Sequence, residues 1–150
     1  MNNKLLIILI ALVIISSCKP RQKEPFGRNT QLENRRWTCR ELNGKPVTIN
    51  PGGKELVITF NMGDNTFSGD GGCNKMNGMY TAQEQMIKIQ SMMSTKMACE
   101  GMVMENDFFQ VLDKTNRYEL KKKREGGVDK EYLFLFQDDT LLAKLDAVYL

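Results

Sequence analysis

The spacing of apolar residues changes along the chain, and each change marks a different kind of segment. Leu5 to Ile15 form an unbroken apolar run of eleven residues with Lys4 as a positive flank. Residues 19 to 35 are polar and charged, carry Pro20 and Pro25, and offer few side chains to a core. That composition predicts a flexible tether. From Trp37 onward short apolar runs alternate with turn residues, the pattern of half-buried strands. Trp37 to Leu42 reads as a first strand ended by Asn43-Gly44, and Glu55 to Phe60 as a second, with Leu56, Ile58 and Phe60 on one face. Gly63-Asp64-Asn65 marks a turn and Thr66 to Gly69 a third strand. Asp70-Gly71-Gly72 and Asn77-Gly78 then break the pattern with residues that tolerate positive φ. Tyr80 and Thr81 restart a strand, and Met86 to Ile89 form another with Ile87 and Ile89 on one face.

One segment has helical spacing. Between Met102 and Lys114, Met104, Phe108, Val111 and Leu112 recur at i, i+4, i+7 and i+8, a stripe that should pack onto the sheet. Three closing strands follow, Arg117 to Lys123, Glu131 to Gln137 and Leu141 to Tyr149, joined by turns at Gly126-Gly127 and Asp138-Asp139. Tyr132 to Phe136 is apolar on both faces, as expected of a strand covered by the helix or enclosed by a curled sheet. The links are too short for parallel crossovers. The predicted fold is therefore α+β, mainly β: an antiparallel sheet curled into a partial barrel with one packed α-helix.

The leading apolar run is too short to span a bilayer, which takes about 20 residues. It reads instead as an export signal over residues 1 to 17. Ile15-Ser16-Ser17-Cys18 has the form of a lipobox, and Ser17-Cys18 is unlike the Ala-x-Ala site of an ordinary secretory signal. Cys18 is the predicted lipidation site and the first residue after processing. With each buried methylene contributing about 0.8 kcal/mol, several acyl chains on one cysteine would anchor the protein stably. Lys19 stands where an aspartate would be the familiar inner-membrane retention signal, so an outer-membrane lipoprotein is expected. The sequence leaves open whether it faces the periplasm or the exterior. Residues 18 to 35 form the lipidated tether and 36 to 150 the folded domain.

From Cys18 on, 20 basic residues face 18 acidic ones, a balance that gives no pull towards nucleic acid. Lys121-Lys122-Lys123-Arg124 is the one basic run, read as a solvated hairpin with lipid-headgroup or polyanion contact as the alternative. Cys39, Cys73 and Cys99 allow one disulfide and one spare thiol in an oxidising compartment, and spacing does not choose the pair. There is no Cys-x-x-Cys. Histidine is absent, which removes Ser-His and Cys-His nucleophiles and every His-containing zinc site. Asp138 and Asp139 are adjacent on a turn and point apart, unlike an acid/base pair. The Asp64 to Asp70 stretch lacks the calcium-loop order, and Asp70-Gly71-Gly72 lacks the Lys-Ser or Lys-Thr of a phosphate loop. No catalytic, cofactor-binding or metal site is predicted. The nine internal methionines lie between Met62 and Met104 and are expected to fill an irregular core between helix and sheet. The alternative is soft-metal binding, with Met92, Met93, Met97, Cys99, Met102 and Met104 as ligands of the kind Cu(I) prefers.

Five spaced motifs carry a family resemblance: Trp37 with Leu42-Asn43-Gly44; Phe67-x-Gly69; Gly72-Cys73-Asn74-Lys75-Met76-Asn77-Gly78-x-Tyr80; Thr95-Lys96-Met97-Ala98-Cys99; and Glu105-x-x-Phe108-x-x-x-Leu112. Together they resemble the META domain family, which includes HslJ, over roughly residues 35 to 145. The resemblance implies a β-rich α+β domain and a Cys73–Cys99 bridge with Cys39 spare, although a third cysteine departs from the family pattern. It also implies an exported or envelope-associated protein linked to stress tolerance or secretion, with no established catalytic mechanism. Gly72 and Gly78 are expected to bracket a tight loop in which Asn74 and Asn77 hydrogen-bond nearby backbone. The expected function is a non-enzymatic envelope lipoprotein that binds a protein or another envelope component through this domain. The alternatives are the Cu(I) reading and an inhibitor of a hydrolase such as lysozyme acting through the Gly72 to Tyr80 loop. Oligomeric state is left open.

Overall fold

The computed structural model describes residues 31–48, 53–99 and 102–148. The predicted export signal, Cys18 and most of the predicted tether lie outside the described residues. Nine strands and one helix follow in order: β1 (Arg36–Leu42), β2 (Lys45–Pro46), β3 (Leu56–Phe60), β4 (Thr66–Gly71), β5 (Lys75–Gln83), β6 (Met86–Ser94), α1 (Val103–Lys114), β7 (Arg117–Glu125), β8 (Val128–Gln137) and β9 (Thr140–Val148). All strand pairs are antiparallel, in the order β2-β1-β3-β4-β5-β6-β7-β8-β9, and β1 also pairs with β9. That extra pairing turns the expected curled sheet into a ring. The ring is uneven: β6 meets β7 at one residue pair, Met86 and Arg117, flanked by Ile87 N–H to the Asn116 carbonyl at 3.1 Å and Tyr118 N–H to the Gln85 carbonyl at 2.8 Å.

Alternation explains which side chains fill the ring. Trp37, Ile58, Phe60, Phe67, Tyr80, Leu133, Leu135 and Leu145 are all buried, and Phe60 meets Tyr80 edge-on at 4.7 Å between centroids. The helix packs against β1, β4 and β6 through Phe108, Val111 and Leu112, with Met104 half-buried beside them. It ends at Thr115, whose hydroxyl donates to the Val111 carbonyl at 2.7 Å. Asn43 and Gly44 both take positive φ, 50° and 74°, as the tight hairpin turn between β1 and β2 requires.

Several expectations change. Asp70-Gly71 and Asn77-Gly78 do not interrupt strands: they lie in β4 and β5, so the Gly72 to Tyr80 segment is a turn at Gly72–Asn74 followed by strand, not a loop. Its glycines answer to crowding. A Cβ on Gly78 would sit 2.7 Å from the Phe67 ring, one on Gly71 2.7 Å from Glu105 Oε2, and one on Gly69 2.1 Å from the Val57 carbonyl. Only Gly72 takes positive φ, at 100°. β6 runs on to Ser94 past its last alternating isoleucine, because β5 offers backbone partners that far. The apolar outer face of β8 lies under neither helix nor sheet. Arg117 stands over Phe136 at 4.0 Å, Lys121 over Phe134 at 5.0 Å and Lys144 over Tyr132 at 5.1 Å, cations roofing aromatic faces.

Packing also starts earlier than Arg36. Leu32 and Glu33 are buried, the Leu32 carbonyl accepts the Trp37 indole N–H at 2.9 Å, and Glu33 forms a parallel bridge with Phe60. Residues 31–35, assigned by composition to the tether, thus stop one end of the ring. The pattern hid them because only Leu32 among them is apolar.

Candidate functional site

The densest polar cluster lies at the other end, where the β4–β5 turn meets the start of α1. Glu105 shares the helix's inward face with Phe108 and is 3% exposed. Its Oε2 accepts the backbone N–H of Cys73 at 3.1 Å and of Asn74 at 2.6 Å, and its Oε1 accepts the Asn74 side-chain amide at 2.7 Å. Asn74 Nδ2 also donates to the Met97 carbonyl at 3.1 Å. Asn74 Oδ1 accepts from Met97 N–H at 2.7 Å and from the Thr95 hydroxyl at 2.8 Å. Both amide hydrogens and both acceptor positions of Asn74 are thereby satisfied. Lys75 N–H closes the cluster onto Thr95 Oγ1 at 3.2 Å. Cys73 and Cys99 are bridged across it, with Cα atoms 6.1 Å apart. The bridge is the one the family resemblance implies, and Cys39 is the free, buried cysteine. A turn, a strand end and a helix are therefore tied by one carboxylate, one amide and one disulfide.

A second buried pair sits under the residue 31–35 stopper. The Tyr80 hydroxyl donates to Glu33 Oε1 at 3.0 Å. Burial, and next the bond to Glu33, push that hydroxyl well above its ordinary range. Glu33 Oε2 and Thr38 Oγ1 have no hydrogen-bond partner among the described residues. Burial likewise pushes the Cys39 thiol up to about 12, which keeps it in the unreactive protonated form.

The predicted site residues fall into two groups. Gly72, Asn74, Thr95 and Met97 meet in the first cluster, with exposed Ala98 leading to Cys99. Trp37 and Tyr80 line the ring interior, Gly69 and Gly78 allow its strands to approach closely, and Gly44 serves the β1–β2 turn. Cys18 lies outside the described residues. Glu105 enters the sequence pattern only as part of a motif, because a lone carboxylate on an apolar helix face carries no pattern of its own. Glu33 gave no sequence signal at all.

The methionines depart from the core-filling expectation. Met76 is buried and Met92 and Met104 pack against the core, but Met62, Met79, Met86, Met93 and Met97 are exposed. Strand parity explains part of this: Met79 and Met93 occupy outward positions of β5 and β6. Cys99 is bridged and offers no thiolate to a soft metal. Among the described residues no group of three or more Cys, Asp or Glu side chains converges on a metal position. Two of the shallow grooves among the described residues expose methionine. One, of about 410 Å³, lies between the β5–β6 hairpin, at Ala82, Met86 and Ile87, and the helix end at Lys114 and Thr115. The other, of about 470 Å³, lies between Ser68, Asn77, Met93 and Thr95.

An antiparallel ring with one thin seam, stopped by a single helix and tied by a Cys-Asn turn, defines a class of small β-rich domain. The model of the META domain matches residues 30–144, and the chain belongs to the META domain family. A solved NMR structure of a protein from Burkholderia xenovorans is similar in fold, with a TM-score of 0.59 at 19% identity over 84% of this chain and 91% of that one. A second NMR structure has a TM-score of 0.53 at 20% identity, covering 76% of this chain and 90% of its own. No curated protein matches the chain.

Proposed function

We propose that the protein is a membrane-anchored envelope lipoprotein whose META domain is a non-catalytic scaffold that binds a protein partner of the envelope and supports envelope integrity under stress. The observation that carries this reading is where the motif side chains point. Glu105, Asn74 and Thr95 are bonded to one another or to backbone, and the buried Tyr80 hydroxyl is bonded to the buried Glu33. General acid–base or nucleophilic work needs such a group within reach of a substrate. What faces outward beside the two grooves is methionine, Met86 at one and Met93 at the other, a flexible thioether surface suited to protein contact. The sequence supplies the address: the export signal, the lipobox at Cys18, and Lys19 in favour of outer-membrane sorting.

Two measurements test it. Cells fed a clickable palmitate analogue should label the protein, and Cys18→Ser should abolish the label. A photo-crosslinking residue at position 86 or 93 in intact cells should trap one discrete protein species, where the same residue at position 45 traps none. An unlabelled polypeptide in the soluble cytoplasmic fraction refutes the anchor. Crosslinks equally diffuse at all three positions refute the docking face.

A further inference from the structure

The β7–β8 hairpin outruns the barrel. On β9, Val148 is paired with Arg36 and Asp146 with Tyr132. Residues 123 to 130 of the hairpin therefore lie beyond the last β8–β9 pair, with Lys130 level with Val148 and residues 124 to 129 past it. At about 3.3 Å per residue this two-stranded arm projects roughly 10 Å past Val148. It projects at the end stopped by residues 31–35, and Gln31 and Arg35 share a small groove with Lys121 and Lys122 at its base. The chain that leads back to Cys18 thus enters the domain beside the arm.

Charge is sorted within the domain. Residues 121 to 131 hold five cations against three anions, whereas the other positions from 31 to 150 carry 11 basic and 14 acidic residues. The basic end of the domain is the end at which the chain from Cys18 enters. Within the arm, Lys123 and Lys130 flank Glu125 at 3.0 and 3.1 Å, while Arg124 makes no ion pair among the described residues. The tip carries Val128, 63% exposed.

We infer that this arm rests on the phosphate headgroups of the anionic leaflet that holds the lipid, and so fixes which side of the domain faces away from the membrane. Basic residues held close to an anionic surface gain from its negative potential, and the gain fades within a Debye length. Only the end that the tether keeps near the bilayer can exploit it. The exposed methionines Met86 and Met93 are not part of the arm and stay available to a partner.

The choice of leaflet rests on Cys18 being the anchor, so the test leaves the lipid out. The processed chain with Cys18→Ala is titrated with vesicles of mixed phosphatidylglycerol and phosphatidylethanolamine, and with phosphatidylcholine alone, and partitioning is read by co-sedimentation. It should bind the anionic vesicles and not the neutral ones. Replacing Lys123→Gln with Arg124→Gln should weaken binding about 30-fold. The charge-keeping pair Lys123→Arg with Arg124→Lys should leave binding unchanged, as should Lys75→Gln with Lys96→Gln, an equal charge loss at the disulfide end. No binding by the parent chain, an unaffected Gln pair in the arm, or equal losses from both Gln pairs would overturn the inference. A failure of lipidation appears separately, as loss of palmitate label.

Discussion

Replacing Asn74 by alanine is the sharpest probe of the Cys-Asn turn. The side chain makes four hydrogen bonds, to Glu105, the Met97 carbonyl, Met97 N–H and the Thr95 hydroxyl. Three neutral bonds contribute about 1 kcal/mol each, and the bond to the carboxylate about 1.5 to 3. The expected loss is about 4 to 6 kcal/mol, out of a total that for a domain of this size is about 5 to 15. Glu105→Gln makes the comparison informative. With its oxygen placed at Oε2 it keeps both backbone bonds and puts one amide against the Asn74 amide, so its cost should be about 1 to 3 kcal/mol. Urea unfolding of the oxidised proteins, followed by tryptophan fluorescence from Trp37, measures both, and hydrogen exchange at Met97 should lose protection in Asn74→Ala alone. A loss below about 1 kcal/mol for Asn74→Ala, or a larger loss for Glu105→Gln, would show that the cluster is not what holds the turn, strand end and helix together.

Reducing the Cys73–Cys99 bridge, which closes 26 residues, should cost about 3.5 kcal/mol in the chain-entropy account; urea midpoints with and without reductant measure it, and coincident curves would count against the bridge. Cys39 should resist Ellman's reagent at neutral pH until denaturant is added, since it is buried and its thiol is pushed up to about 12; rapid labelling of native protein contradicts this. Burial also raises the Tyr118 hydroxyl to about 12. Both groups hold their protons more tightly folded than unfolded, so their contribution is complete below pH 9 and disappears as pH rises through about 12. Base titration followed by circular dichroism should show that loss, with Cys39→Ala unfolding at higher pH than the parent; equal midpoints refute the assignment to Cys39. Gly78→Ala should cost about 1 to 3 kcal/mol by overpacking, because its Cβ would meet the Phe67 ring and the Gln90 carbonyl; a neutral result in thermal melts means the ring moves aside.

How much of this could be read in the sequence follows from what period and turn chemistry can carry. Strand alternation depends only on which face is wet, so Leu56, Ile58 and Phe60, or Ile87 and Ile89, declared their strands directly. Asn43-Gly44 and Gly126-Gly127 declared hairpins because both residues of such a turn need positive φ. Glycines inside β4 and β5 misled, because glycine also serves close approach, and the neighbour that makes Gly78 necessary, Phe67, lies on the adjoining strand. The role of Glu105 was equally hidden: its partners are 31 and 32 residues away, and a helix stripe records only that a position is inward. The exposed methionines depart from the core-filling expectation for the converse reason. Hydrophobicity says that a side chain can be buried, and strand parity decides whether it is.

The two ends of the ring are closed by different means, and this bears on how the domain would be held under the proposed anchoring. At the disulfide end, polar groups bond to one another and fix the turn against the helix. At the tether end the closure depends on residues 31–35, through the Trp37 bond to Leu32, the Tyr80 bond to Glu33 and the ion pair of Arg35 with Glu131 at the base of the β7–β8 arm. Under the proposed anchoring, a pull from the N-terminal side would meet Leu32 and Glu33, both seated in the core, before Arg35, whose ion pair with Glu131 adds a second hold on β8. Since β8 continues into the projecting arm, the same ion pair fixes the arm relative to the point where the chain enters. If the domain is anchored as proposed, its entry point and the arm would turn with the ring as one piece, and a partner at the methionine-bearing grooves would meet side chains that adapt on a backbone that does not.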